Sequence, residues 1–187
     1  MKHLIFSLLT ICSMTAHAQQ IVIDQSEPDG LRTIATSLEV CRNTTDKTVF
    51  SFGLTAYIKT GTSYTLNIKA TSLAPIHIAK DAALLIKTFK GTTIELQNII
   101  DADGSVRDVH EVNGYVFSDY SAQPSYTITS EQIQTIASEG LSKLRIQTST
   151  SNIDKEYKKD KAGKVIDTDY RLIQGALSKS SDIHDGF

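Results

Sequence analysis

The sequence predicts a mainly β domain, an antiparallel β-sandwich-like fold with one short helix at about 130–139 and a second helix near the C-terminus. Three observations lead to this fold class. Apolar and polar residues alternate with period two between residues 50 and 70, which is typical of strands with one buried face. Glycine-containing turns separate successive runs of this kind. The spacing of apolar residues becomes helical only after residue 128 and again near the C-terminus.

Residues 1–18 have the three parts of a secretory signal peptide. Lys2 supplies the positive charge, Leu4–Ile11 the apolar stretch, and Ala16–Ala18 a small-x-small cleavage site. The apolar stretch is much shorter than the ~20 residues that a membrane-spanning helix needs. We therefore predict a signal peptide over 1–18, followed by a single mostly-β domain over 19–187 that is periplasmic or secreted and has no transmembrane segment.

The two cysteines of the chain raise two further possibilities. Cys12 ends a sequence that loosely resembles a lipobox, but the residue before a lipidated cysteine is normally small and Ile11 is branched, so we predict no lipid anchor. Cys41 is then the only cysteine of the mature chain and can form no intrachain disulfide. We interpret it as a small buried residue, because a catalytic thiol would need a histidine and an orienting partner nearby.

The charge of the chain is ordinary for a soluble domain. The full chain has 19 basic and 21 acidic residues, and loss of Lys2 with the signal peptide brings the net charge from −2 to −3. Such a balance argues against a nucleic-acid partner, because nucleic-acid-binding domains carry a basic footprint. The segment from Asp154 to Lys164 mixes five lysines with three acidic residues, and we predict a solvated hairpin or loop there.

Two hairpins are predicted in the middle of the chain. The first joins Phe50–Ile58 to Tyr64–Ala70 around a turn at Gly61, and the second joins runs near Leu84 and Leu96 around Gly91. Further predicted elements are a turn at Asp101–Gly104 and strands at Tyr115–Tyr120 and Lys143–Thr148.

The short helix has local start and stop signals. Thr129 and Gln132 have the spacing of a capping box, in which each side chain bonds the backbone N–H of the other residue. Gly140 stands where a left-handed residue usually ends a helix. The second helix is predicted from apolar residues at helical spacing, namely Tyr170, Ile173, Ala176 and Leu177.

Asp108 and His110 are the best candidates for metal ligands. On a strand they share a face, but one such pair supplies only half of a zinc site, and the alternative is a solvent-facing strand or loop. Asp101–Gly104 resembles a calcium loop but lacks its later ligands and closing glutamate. The sequence contains no nucleophile elbow, zinc-protease helix motif or phosphate loop. We therefore assign no catalytic residue, no metal and no cofactor.

Two stretches of the chain, Lys80–Leu96 and Tyr126–Thr148, resemble exported proteins of Bacteroidetes that have no established activity. The shared motifs are structural, since they consist of strand alternation and a capped helix. The resemblance implies an envelope compartment and a sandwich-like fold, and it transfers no functional residue.

Three classes of function remain open at this point. The first is a non-enzymatic binding or interaction module of the bacterial cell envelope, with a protein or glycan partner. The second is a hydrolase acting on envelope or dietary polymers, and the third is a structural or assembly accessory protein. Carboxylates converging in a large cleft would favour the hydrolase, whereas an exposed apolar patch would favour a partner surface.

Overall fold

The computed structural model describes residues 19–42 and 48–182. The predicted signal peptide (1–18) and the candidate lipidation site Cys12 lie outside this range. Within it, the chain forms antiparallel sheets and two α-helices, the second of them near the C-terminus. The predicted fold class is therefore confirmed.

The elements follow in this order. The strands are β1 Ile21–Ser26, β2 Arg32–Thr36, β3 Glu39–Cys41, β4 Thr48–Ile58, β5 Thr62–Ser72, β6 His77–Ile78, β7 Ala83–Thr88, β8 Thr93–Gln97, β9 Ala102–Asp103, β10 Ser105–Val112, β11 Tyr115–Ala122, β12 Ser125–Ile128, β13 Leu141–Gln147 and β14 Asn152–Glu156. The helices are α1 Ser130–Glu139 and α2 Ala162–Asp182.

The large sheet is built around the β4–β5 hairpin, in the order β1-β2-β4-β5-β11-β10. Two short strands share each side of this hairpin. On one side β2 and β3 both pair with β4, and on the other β11 and β12 both pair with β5. A second sheet has the order β14-β13-β7-β8, and β6 pairs with β9. Apolar side chains of both main sheets and both helices meet in one core.

The β4–β5 hairpin is buried on both faces for much of its length. Its apolar face carries the cross-strand pair Phe52 and Ile68, and both side chains are fully buried. The other face of β4 is also covered, since Ser51 and Thr55 are each only 7% exposed. The alternating pattern predicted one exposed face for this strand, and that prediction is wrong. Part of the cover is the link between β2 and β3, because a Cβ on Gly53 would lie 3.1 Å from the Ser37 carbonyl oxygen.

The predicted capping box of α1 is confirmed. The Thr129 hydroxyl accepts a hydrogen bond from the Gln132 N–H at 3.2 Å, and the Gln132 side chain accepts one from the Thr129 N–H at 2.9 Å. Gly140 has the predicted positive φ, 70°, but its ψ of 158° is extended rather than left-handed helical. The reason is that the chain continues directly into β13 at Leu141.

The segment predicted as a solvated hairpin or loop over 154–164 contains the end of a hairpin strand, a loop and the start of a helix. Asp154–Glu156 belong to β14, which pairs with β13, and α2 begins at Ala162. Lys155 is only 7% exposed, and its amine lies 5.7 Å from the centre of the Tyr157 ring. The predicted hairpin and loop are present, but the burial of Lys155 and the start of α2 were not predicted, because charge density does not show which side chains a neighbouring strand and helix will cover.

The predicted turn at Asp101–Gly104 is also wrong. Ala102 and Asp103 form β9, which pairs with β6. Gly104 closely approaches the residue before β6, since its N–H donates to the Ile76 carbonyl at 2.6 Å. A Cβ at this position would lie 2.5 Å from the same carbonyl oxygen, so only glycine fits without a shift of the backbone.

Helix α2 packs on the large sheet and on α1. The rings of Tyr64 on β5 and Tyr170 on α2 make an edge contact with centroids 5.6 Å apart. The Gln174 amide also donates to the Tyr64 hydroxyl at 2.9 Å. In the part of the chain that the structure describes, neither helix combines the length and the hydrophobicity that a membrane crossing requires.

Candidate functional site

The β10–β11 hairpin projects beyond the rest of the large sheet. Its turn is Asn113-Gly114, with φ angles of 53° and 79°, which suit the type I′ turn that favours this residue pair. Only Tyr120–Ala122 of β11 pair with β5, whereas the pairing with β10 runs from Tyr115 to Ser121. Most of the hairpin therefore has no other strand beside it, and β10 is an edge strand of the sheet.

The predicted pair Asp108 and His110 lies on this hairpin and is joined by Asp119 from the opposite strand. His110 Nε2 lies 3.2 Å from Asp119 Oδ2 and 3.6 Å from Asp108 Oδ2. The histidine and Asp108 are well exposed, at 48% and 61%, and Asp119 is 25% exposed. Over residues 19–42 and 48–182, no group of three histidine, cysteine, aspartate or glutamate side chains is arranged to hold a metal ion.

A groove of about 620 Å³ lies between this hairpin and β3, on the outer face of the large sheet. We term it the cationic groove and define it by Val40, Arg42, Ser51, Lys69, Thr71 and Arg107. Asp119 lies at the edge of this groove and also contacts His110. We term Asp108, His110 and Asp119 the histidine cluster. The volume is in the range of sites that bind small ligands or short segments.

Neighbouring strands place the lining residues of the cationic groove. Ser51 on β4 and Lys69 on β5 are cross-strand partners, so their side chains share one face of the sheet. Arg107 stands where the register of β10 against β11 shifts, between Val106 and Asp108. A bulge of this kind changes the direction in which a side chain points, and Arg107 lines the groove.

The three basic side chains of the cationic groove have no acidic partner among the described residues. Arg42, Lys69 and Arg107 make no ion pair with any carboxylate of the described residues. Elsewhere in the same range many basic side chains are paired, as in Arg32–Asp24, Lys59–Asp29, Lys143–Glu156, Arg145–Asp154 and Arg171–Asp167. The groove therefore has an excess of positive charge, with three basic side chains against Asp119 at its edge, on a chain whose net charge is negative.

Exposed apolar side chains surround this region. Leu38, Val40 and Leu73 line the groove and are all exposed. Val109 and Val116 on the projecting hairpin are 57% and 67% exposed. Apolar side chains gathered around one groove are typical of a surface that binds a partner.

The described residues hold no recognisable nucleophile and base. Cys41 is buried, as predicted, and burial with the nearby Glu39 charge raises the pKa of its thiol to about 12. A thiol in this state is protonated at neutral pH and is a poor nucleophile. Neither His77 nor His110 is hydrogen-bonded to a serine, threonine or cysteine side chain in residues 19–42 and 48–182.

The sequence analysis missed four residues of this region, namely Arg42, Lys69, Arg107 and Asp119. A signal for the last of these was present, because Asn113-Gly114 between two apolar-rich runs is the strongest short-range mark of a hairpin. That hairpin would have placed Asp119 opposite Asp108, as the structure does. No local pattern marks the three basic residues, which come from different strands.

Comparisons of the chain with models of known protein families, with curated proteins and with solved structures found no match. No residue role can therefore be carried over to the groove from another protein.

Proposed function

We propose that this protein is a non-enzymatic binding module of the bacterial cell envelope that holds an acidic polypeptide segment in the cationic groove. The observation that carries the proposal is the presence of Arg42, Lys69 and Arg107 around one groove without an acidic partner among the described residues. The predicted signal peptide over 1–18 supports the envelope as the place where the protein acts.

The charge of the groove favours a carboxylate-bearing ligand. Arginine forms paired hydrogen bonds to carboxylates, and lysine adds a compact positive charge. A groove with an excess of one charge also attracts ligands of the opposite charge and raises their association rate. Ser51 and Thr71 supply hydroxyl groups on the floor, between the basic side chains.

The rim of the groove favours a polypeptide over a sugar polymer. Leu38, Val40 and Leu73 present branched aliphatic side chains, which suit the apolar side chains of a peptide. The flat C–H faces of sugar rings pack well on aromatic rings, and none lines the groove in the described part of the chain. We therefore expect a segment in which acidic residues alternate with aliphatic ones.

The proposal is tested by fluorescence polarisation with the chain 19–187 and a labelled synthetic peptide of alternating glutamate and valine. We expect binding that weakens as salt is raised, because exposed charges are screened. The double variant Lys69→Gln/Arg107→Gln should bind at least about tenfold more weakly, which corresponds to about 1.4 kcal/mol. The matched control is Lys87→Gln/Lys90→Gln, which removes the same charge from the second sheet and should bind normally.

Three results would contradict the proposal. Equal loss of affinity in the groove variant and its control would mean that only the total charge matters. Binding of a uronic-acid polymer without binding of the peptide would exclude a polypeptide ligand. Cleavage of the peptide, seen by mass spectrometry and absent from a control without protein, would identify a hydrolase instead.

A further inference from the structure

A fully buried carboxylate lies between the N-terminal segment and the C-terminal helix. Asp169 on α2 is 0% exposed. Its Oδ1 accepts a hydrogen bond from the side-chain amide of Gln19 at 2.9 Å. Its Oδ2 is buried and has no hydrogen-bond partner in the described residues. One of the two carboxylate oxygens is therefore buried without a hydrogen bond, which lowers the stability of the folded protein.

No basic side chain compensates this carboxylate within residues 19–42 and 48–182. The Thr36 hydroxyl lies beside it but donates to the Leu54 carbonyl at 3.3 Å. Burial raises the pKa of Asp169 to about 7, although the neighbouring Thr36 and Gln19 act to lower it, and the negative charge of Glu39 raises it further. Among the described residues, the carboxylate therefore has no cationic partner.

Gln19 is held in place by two hydrogen bonds to α2. Its side-chain amide nitrogen donates to the Val165 carbonyl at 2.9 Å as well as to Asp169. Gln19 is also the residue that follows the predicted cleavage site at Ala16–Ala18. Its α-nitrogen is five bonds from that amide nitrogen, which limits its distance from the bonded carboxylate oxygen to about 9 Å.

We propose that cleavage before Gln19 completes this site, because the new α-ammonium group becomes the counter-ion of Asp169. Hydrolysis adds the hydroxyl of water to the Ala18 carbonyl carbon and its hydrogen to the Gln19 nitrogen, which takes a further proton from solvent. The resulting ion pair fastens the N-terminal segment to α2. The proposal depends on the predicted cleavage position and is independent of the groove.

The proposed ion pair between the Gln19 α-ammonium group and Asp169 changes how the stability of the protein depends on pH. In an uncleaved or extended chain the folded pKa of Asp169 is above its unfolded value, so the contribution of Asp169 to stability is greatest at low pH and falls as pH rises from about 4 through 7. An adjacent ammonium favours the ionised acid and lowers its pKa, so the processed chain should lose less stability over that range. Glu39 is the acidic neighbour present in both forms.

The test compares two chains, one that begins at Gln19 with a free amine and one with Gly-Ser added before Gln19. The first is released from a fusion by a protease that leaves no extra residue. Urea unfolding is measured at pH 5 and pH 7.5, with each chain also made as Asp169→Asn. We expect the free-amine chain to have the higher urea midpoint at pH 7.5, a smaller difference at pH 5, and no difference in the Asp169→Asn background.

A second measurement does not require a folded variant. The pKa of the Gln19 amine, followed by NMR in the free-amine chain, should be raised above its usual range by the carboxylate.

Equal urea midpoints at pH 7.5, an amine pKa in its usual range, or a difference in midpoint that persists in Asp169→Asn would overturn the proposal. Loss of ammonia from freshly released chain would also overturn it, because the amine would then have cyclised onto the side-chain amide of Gln19. Intact mass of the exported protein separately tests the cleavage position, and a different start would remove the biological role.

Discussion

The β4–β5 and β10–β11 hairpins are both antiparallel and both belong to the large sheet, yet their surroundings are opposite. The β4–β5 hairpin has strands on both sides and is covered on both faces for much of its length. The β10–β11 hairpin has one short contact with β5 and is largely exposed. The comparison indicates that the first hairpin supplies stability and that the second is available to a ligand, because exposed strands contribute little to the core.

The largest expected effect comes from truncating the centre of the covered hairpin. Phe52→Ala should reduce the free energy of unfolding by about 3–5 kcal/mol, because removing a fully buried ring leaves a cavity in the core. Val109→Ala on the exposed hairpin is the matched control and should cost less than about 0.5 kcal/mol. Denaturant titration measures both. Similar losses for the two variants would mean that the hairpins contribute equally to stability.

An intermediate effect is expected where β12, which pairs with the covered hairpin, leads into α1. Thr129 follows β12, which pairs with β5, and its hydroxyl caps the helix. Thr129→Ala should cost about 0.5–2 kcal/mol, the usual contribution of an N-cap side chain. Thr129→Ser keeps the hydroxyl and should retain most of the stability. An unchanged urea midpoint in the alanine variant would show that the cap is not needed.

The smallest expected effect is in the histidine cluster of the exposed hairpin. His110→Ala should change the free energy of unfolding by less than about 0.5 kcal/mol, because its contacts with Asp108 and Asp119 are solvent-exposed. Thermal unfolding followed by circular dichroism measures this change. A large loss of stability, or stoichiometric zinc in the purified protein that His110→Ala removes, would contradict our interpretation of the cluster as a surface feature.

The same two hairpins show which parts of the fold could be predicted from the sequence. The central hairpin was predicted because its alternation and turn are local signals. Its second covered face was not, because the cover over Gly53 comes from Ser37 and Leu38, which precede β4 and are brought there by pairing of β2 and β3. The bounds predicted for α1, about 130–139, agree with the structure because both ends have local signals. Thr129 and Gln132 mark its start, and Gly140 marks its end.

The candidate site was less accessible to prediction. Asp108 and His110 were singled out because alternate residues of one strand share a face. The cationic groove depends on Arg42, Lys69 and Arg107, which are separated by strands and turns whose pairing order the sequence did not reveal. The buried state of Asp169 was also hidden, since an aspartate in a helix is ordinarily expected to face solvent.

The contact between Gln19 and α2 also bears on the order in which the chain folds. Its two hydrogen bonds join residues that are 146 and 150 positions apart. Contacts between such distant residues close large loops and form late. Helix α2 follows all the described strands along the chain, so Gln19 has no helix to bond until α2 has been synthesised. For a chain that is exported as we propose, we expect the fold to stay incomplete until α2 is available to Gln19.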